Sequence, residues 1–209
     1  MKRGYDGEQR RAQSEATRQR ILDRARDLVV ERGYRGATIA ELARRADVHV
    51  DTVYELVGRK PVILRELVER AISGADRPLD PFERDYVQKI TAEPDAGAKL
   101  DLYAAAMRRI HARLGPLFLA LRDASTTDPA AGRVWTEISE RRARNMRMLA
   151  ADLLSTGQLR TNLGVDDIAD TIWATNSPEL HQLLTGDRGW TPEHYQAWLG
   201  DTWRRLLLA

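Results

Sequence analysis

The chain contains no cysteine among its 209 residues. A disulfide, a thiolate nucleophile and a cysteine-ligated zinc site are therefore all excluded. The longest clear apolar run, from Leu117 to Leu121, is far shorter than the ~20 residues that a membrane span needs. The first residues are polar and lack the apolar core of a signal peptide. We therefore expect a cytoplasmic protein that has no membrane-spanning segment.

Sequence motifs of common enzyme classes are also missing. The chain has no Glu-x-x-His, no His-Glu-x-x-His, no Gly-Lys pair of a phosphate-binding loop, and neither Gly-x-Ser-x-Gly nor Gly-x-Gly-x-x-Gly. The four histidines, at positions 49, 111, 181 and 194, do not follow a metal-ligand spacing. We predict no catalytic residue, no metal and no cofactor, and hence a protein that is not an enzyme.

Charge is distributed unevenly along the chain. The first 75 residues contain 16 Lys and Arg against 12 Asp and Glu, a net charge of +4, whereas the whole chain carries only +2. A basic N-terminal segment weakly favours a polyanionic partner for that segment alone. Residues 1–14 are polar and basic, and we interpret them as a flexible arm.

Apolar residues recur at helical spacing almost everywhere, which predicts an all-α protein. An amphipathic helix from Thr17 ends at Gly33, and Thr38 with Glu41 matches a capping box that opens a short helix. A turn at residues 47–49 and a second short helix, Val50 to about Val57, follow. Two short helices joined by a tight turn are typical of a helix-turn-helix domain, whose second helix enters the major groove of DNA.

The remaining residues predict a bundle of longer helices with few loops. Asp128-Pro129, Ser177-Pro178 and Thr191-Pro192 have the composition of helix starts. The expected helices cover about 82–92, 95–114, 117–125, 129–155, 165–176, 178–185 and 192–207, with a break at Gly115-Pro116. We divide the chain into the arm (1–14), the helix-turn-helix domain (15–60) and a C-terminal domain (61–209).

Residues 17–64 resemble the N-terminal DNA-binding domain of the tetracycline-repressor (TetR) family. The resemblance lies in Gly33-Tyr34, the core pattern Ile39-x-x-Leu42-Ala43, Thr52-Val53-Tyr54, and Lys60 at the start of the next helix. It implies a repressor that binds a palindromic operator in double-stranded DNA as a homodimer, and that a small apolar or aromatic ligand releases. It also implies phosphate contacts by Thr38, Tyr54 and Lys60, base contacts by Val50, Asp51 and Thr52, and contacts of the backbone or minor groove by Arg10, Arg11 and Arg18.

Several residues depart from the family pattern. Asp47 stands where glycine is usual in the turn, and His49 replaces the common serine cap. Asp51 and Glu55 place two acids on the helix that would face DNA. These departures leave a second interpretation open, a helical ligand-binding or protein-interaction module of the same fold that has lost specific DNA binding.

The resemblance also implies that the C-terminal domain binds the effector and dimerises. The last helices hold a surplus of apolar residues, including Ile168, Ile172, Trp203 and Leu207, which we interpret as a dimer interface. Aromatic and apolar residues of the middle helices suit an apolar or aromatic ligand. The candidates for lining its pocket are Tyr103, Met107, His111, Phe118, Trp135, Ile138, Trp173 and Asn176.

Overall fold

The computed structural model describes residues 3–75, 77 and 79–209, and it divides into two compact units. The first comprises the described residues up to Arg70 together with Pro116–Val134, and the second comprises Ala71–Gly115 and Trp135–Ala209. This division differs from the boundary that we drew at residue 60. Within the described ranges the only strand-like pairing is an isolated bridge between Leu159 and Leu208, so the all-α prediction is confirmed.

Ten α-helices follow one another along the described residues. They are α1 (Arg3–Gly36), α2 (Ile39–Ala46), α3 (Val50–Leu56), α4 (Lys60–Ser73), α5 (Asp85–Ala92), α6 (Ala96–Ser125), α7 (Pro129–Ser155), α8 (Val165–Thr175), α9 (Pro178–His181) and α10 (Pro192–Leu207). A 3-10 turn, Pro81–Glu83, precedes α5, and a π-helical turn, Gln182–Asp187, follows α9. None of the described helices combines the length and the apolar character that a membrane span requires.

The apolar stripe of α1 forms the floor of the helix-turn-helix. Its members are buried: Ile21, Leu22, Ala25, Leu28 and Val29. Helices α2 and α3 pack on α1 and on each other, and they bury Leu42, Ala43, Ala46, Val53 and Val57. Because helices of seven or eight residues are marginal in isolation, this packing is what stabilises them.

Local signals set the ends of the short helices. The Thr38 hydroxyl accepts a hydrogen bond from the Glu41 amide at 3.2 Å, as predicted. The reciprocal half of the capping box is wrong, because the Glu41 carboxylate instead accepts from Arg44 and Arg45, one turn further along α2. Asp47 ends α2 in the left-handed conformation, with φ 52° and ψ 55°. Gly33 breaks the helical path of α1 at φ 66°, where the sequence placed the end of that helix.

Four further expectations are corrected. Helix α6 continues through Gly115-Pro116, because a proline removes only one backbone hydrogen bond and the turns on either side remain helical. The helix expected from Phe82 begins at Asp85, after the 3-10 turn. The helix expected at 178–185 is a short α-helix, Pro178–His181, followed by the π-helical turn. Residues 3–14 of the predicted arm continue α1 as helix, whereas its residues 1 and 2 lie outside the described residues.

The second unit is built around the C-terminal helices. Four residues that we assigned to a dimer interface, Ile168, Ile172, Trp203 and Leu207, are buried inside it, so that assignment is wrong for them. They are interior because α8 packs against α10, where the Trp203 indole donates to the Thr175 hydroxyl at 2.8 Å. The apolar side chains left exposed on this end are those of Trp173, Leu183 and Leu206.

The backbone of Asp47 gives a stability prediction. Replacing Asp47 with alanine should lower the free energy of unfolding by about 1 kcal/mol relative to replacing it with glycine, because the left-handed conformation is costly for alanine and free of steric strain for glycine. Urea unfolding of both variants measures the difference. Equal stability, or a more stable alanine variant, would contradict the strain that we assign to this turn.

Candidate nucleic-acid interface and effector site

Helix α3 presents a distinct outer face. Val50 is 39% exposed and Tyr54 is 47% exposed, and Asp51 lies on the surface beside them. Thr52 is half-buried at the margin of this face. The opposite side of the helix carries Val53, which is completely buried. The predicted base and phosphate contacts of α3 therefore share one surface, and an α-helix of this width fits the major groove of DNA.

Two further predicted phosphate contacts lie next to each other. Thr38 and Lys60 line the same small cavity of about 20 Å³, together with apolar side chains of α1, α2 and α4. The Lys60 ammonium lies 4.1 Å from the centroid of the Tyr34 ring, a cation–π distance. Burial lowers the pKa of Lys60, and the charge of Asp128 opposes that effect. Lys60 is thus half-buried and held over an aromatic ring.

Tyr34 itself is fixed by a residue that lies far away in sequence. Its hydroxyl donates to Asp128 Oδ2 at 2.6 Å, and Asp128 Oδ1 accepts from the amides of Ala130 and Ala131 at the start of α7. Burial, and then the bond to Asp128, raises the pKa of Tyr34. In the sequence Asp128 is marked only as a helix cap, and a separation of 94 residues carries no spacing signal that would link it to Tyr34.

The three predicted arginine contacts lie in different surroundings. Arg10 and Arg11 are exposed on α1. Arg18 is half-buried, and its guanidinium donates to the Leu56 carbonyl at 3.2 Å and to Glu66 at 2.6 Å. Arg18 therefore ties α1 to the end of α3 and to α4, and a DNA phosphate would have to compete with Glu66 for it.

The predicted pocket residues differ in burial and do not all belong to the same unit. Tyr103, Met107, His111, Ile138 and Asn176 are buried in the second unit. Trp135 is half-buried and Trp173 is 39% exposed, both in the same unit. Phe118 is buried but belongs to the first unit.

Five of the buried or half-buried side chains in the second unit form a polar cluster, defined here as Tyr103, His111, Asn176, His181 and Tyr195. The Asn176 amide nitrogen donates to the Tyr103 hydroxyl at 2.7 Å, and His111 Nδ1 lies 3.1 Å from the Tyr195 hydroxyl. The His181 ring lies 5.3 Å from that of His111 and 4.8 Å from that of Tyr195. Sequence reasoning missed His181 and Tyr195, because nothing in their spacing marks them as neighbours of His111.

The polar cluster contains hydrogen-bonding atoms that nothing in the described residues satisfies. Asn176 is 2% exposed, yet its Oδ1 accepts no hydrogen bond, and His181 Nδ1 is likewise without a partner in the described part of the chain. Buried polar atoms are nearly always paired, so these two need an explanation. Beside them, Arg142 donates to the main-chain oxygens of Trp173 and Asn176.

One family model matches the helix-turn-helix part of the chain. Residues 21–56 match the family model described as bacterial regulatory proteins of the tetR family. Within that match, α2 and α3 form the helix-turn-helix. None of the curated proteins matches the chain in sequence. Members of the TetR family are transcription regulators rather than enzymes, and the helix-turn-helix is their DNA-binding element.

Solved structures share the fold of the whole chain. A protein from Saccharomonospora viridis, described as a transcriptional regulator and bound to choline, is 23% identical with a TM-score of 0.71, over 94% of this chain and 99% of that chain. FadR from Bacillus subtilis in complex with stearoyl-CoA is 18% identical with a TM-score of 0.71, over 88% and 96%. The SmeT–triclosan complex is 19% identical with a TM-score of 0.71, over 93% and 92%. At these identities the likeness establishes a TetR-type fold.

The burial of His111 in the polar cluster predicts how stability changes with pH. Burial, followed by the charges of His181 and Arg142, holds the pKa of His111 well below its ordinary value. On acidification the unfolded chain therefore takes up the proton first. The free energy of unfolding should fall as the pH drops below ~6.5, by up to about 1.4 kcal/mol per pH unit for this group.

Urea unfolding between pH 5 and pH 7.5 tests this expectation with a matched pair of variants. His111→Gln removes the buried imidazole and should reduce the pH dependence to what His181 contributes, because burial also lowers the pKa of His181. His194→Gln alters an exposed histidine of the same unit and should leave the pH dependence unchanged. An undiminished slope in His111→Gln would contradict the assignment.

Proposed function

We propose that this protein is a ligand-responsive transcription regulator, a cytoplasmic repressor that binds a palindromic operator as a homodimer and that a small molecule releases. The observation that carries the proposal is the outer face of α3. Val50, Asp51 and Tyr54 are exposed there, and the opposite side of the helix is buried on α1. Lys60, held over Tyr34, supplies a cation at the start of α4, the next helix along the chain. This arrangement suits a helix that reads base edges between phosphate contacts.

Dimerisation supports the proposal on physical grounds. One helix-turn-helix buries too little surface for tight and specific binding, and pairing two of them by two-fold symmetry is the usual solution. Trp173, Leu183 and Leu206 leave apolar surface exposed on the C-terminal helices. We assign the subunit contact to these helices.

Binding to DNA is tested by selecting duplexes from a random library. The selected sites should be palindromes whose half-sites are about one helical turn apart, and sedimentation should find two chains per site. Lys60→Ala should weaken binding and lower the salt dependence by about 0.9 on a log–log scale, because one phosphate contact is lost. Lys89→Ala, an exposed lysine of the second unit, is the matched control.

The same experiment decides the alternative of a module that has lost specific DNA binding. Asp51 and Glu55 favour that alternative, because both are exposed and repel a polyanion. Failure of the wild-type chain to prefer any selected duplex over a scrambled one at about 50 mM salt would establish it in place of the repressor.

The effector that we propose combines an apolar or aromatic body with a hydrogen-bond donor. The structural relatives bind choline, stearoyl-CoA and triclosan, and each of these carries polar and apolar parts. In this chain the unpartnered Asn176 Oδ1 needs a donor, and Tyr103, whose hydroxyl accepts from the Asn176 amide nitrogen at 2.7 Å, adds an aromatic ring beside it.

A matched pair of probes tests this class of ligand. In isothermal titration, 2-naphthol should bind, whereas 2-methoxynaphthalene, which has the same rings but donates no hydrogen bond, should bind roughly tenfold more weakly, because a buried acceptor stays unsatisfied. Equal binding of the two probes, or no binding of either, would contradict the donor requirement.

A further inference from the structure

The cation at the start of α4 is held by a chain of three contacts. Lys60 is a flexible side chain with four methylene groups, and a free ammonium of this kind loses conformational entropy when it is fixed on a phosphate. Here the Tyr34 ring lies under the ammonium at 4.1 Å, so part of that ordering has already occurred. The position of Lys60 thus depends on how Tyr34 is oriented.

The orientation of Tyr34 depends in turn on Asp128. The phenol donates to the carboxylate at 2.6 Å, a short charge-assisted hydrogen bond. The other carboxylate oxygen accepts from the Ala130 and Ala131 amides at 2.8 and 3.3 Å, so Asp128 cannot move without disturbing the first turn of α7. All of these residues belong to the first unit.

We propose that Tyr34 and Asp128 are positioning residues for Lys60, and that through Asp128 the proposed phosphate contact depends on the first turn of α7. This inference rests on the proposed DNA-binding function. Asp128 itself precedes α7, whose first turn supplies the two amides that hold its carboxylate.

A double-mutant cycle on operator binding tests the positioning role. Tyr34→Phe keeps the ring and removes only the hydroxyl. It should weaken binding roughly fivefold and lower the salt dependence, whereas a merely destabilised domain would retain the salt dependence of the wild type. The double variant Tyr34→Phe with Lys60→Ala should bind no more weakly than Lys60→Ala alone, because both changes remove the same phosphate contact.

A second pair of variants distinguishes the loss of Lys60 positioning from a change in net charge. Asp128→Asn retains an oxygen that can cap α7 but loses the carboxylate, and Asp123→Asn removes the same charge from an exposed position on α6 in the same unit. If net charge alone mattered, both variants would bind DNA equally and more tightly than the wild type. The positioning role requires Asp128→Asn to bind several-fold more weakly than Asp123→Asn.

The link to α7 has its own readout. Coupling between sites is reciprocal, so DNA that engages Lys60 should slow hydrogen exchange of the Ala130 and Ala131 amides in the wild type and not in Tyr34→Phe. Unchanged exchange in the wild-type complex, or wild-type affinity in Tyr34→Phe, would overturn the inference while DNA binding itself stands. Absence of specific binding by the wild type would instead overturn the proposed function.

Discussion

The burial of one helical stripe decides whether the helix-turn-helix exists. Helices α2 and α3 are eight and seven residues long, well below the ~12–15 residues that give a marginally stable helix in water. Their fold comes from packing on Ile21, Leu22, Ala25, Leu28 and Val29 of α1. The outer face of α3 is therefore positioned by contacts on its inner face, and a defect in the α1 stripe would misplace side chains that it never touches.

The second unit differs from the first, because its interior contains polar side chains that need hydrogen-bond partners. Asn176, His111 and Tyr103 are buried in it, and among the described residues Asn176 Oδ1 accepts no hydrogen bond. An apolar core of the same volume would be easier to stabilise, since a partly satisfied polar network costs free energy. A network of this kind makes physical sense where a bound molecule supplies the missing hydrogen bonds, which is why we connect it with the effector.

How much the sequence predicts depends on the range of the interaction. The Thr38 cap is decided by neighbouring residues and is found as expected, and the helical path of α1 breaks at Gly33, where the sequence placed the end of that helix. The Glu41 carboxylate could accept hydrogen bonds either from a backbone amide or from two nearby arginines, and the capping-box pattern does not predict which of them it accepts. Contacts such as Tyr34–Asp128 join residues far apart in the chain, and no periodicity within one helix contains them.

The charges of the first unit bear on the phosphate contact that we propose for Lys60. Arg44 and Arg45 lie on α2, and both donate hydrogen bonds to Glu41, which lowers the pKa of Glu41 to about 2. Arg45 also donates to Glu31. Arg18 is bonded to Glu66, and α3 itself carries Asp51 and Glu55. These three arginines are thus already paired with acids of the same unit. Lys60 instead lies over the Tyr34 ring, and the charge of Asp128 also acts on it. In the proposed complex a phosphate binds this ammonium, so the anchor that fixes the ammonium contributes to the affinity.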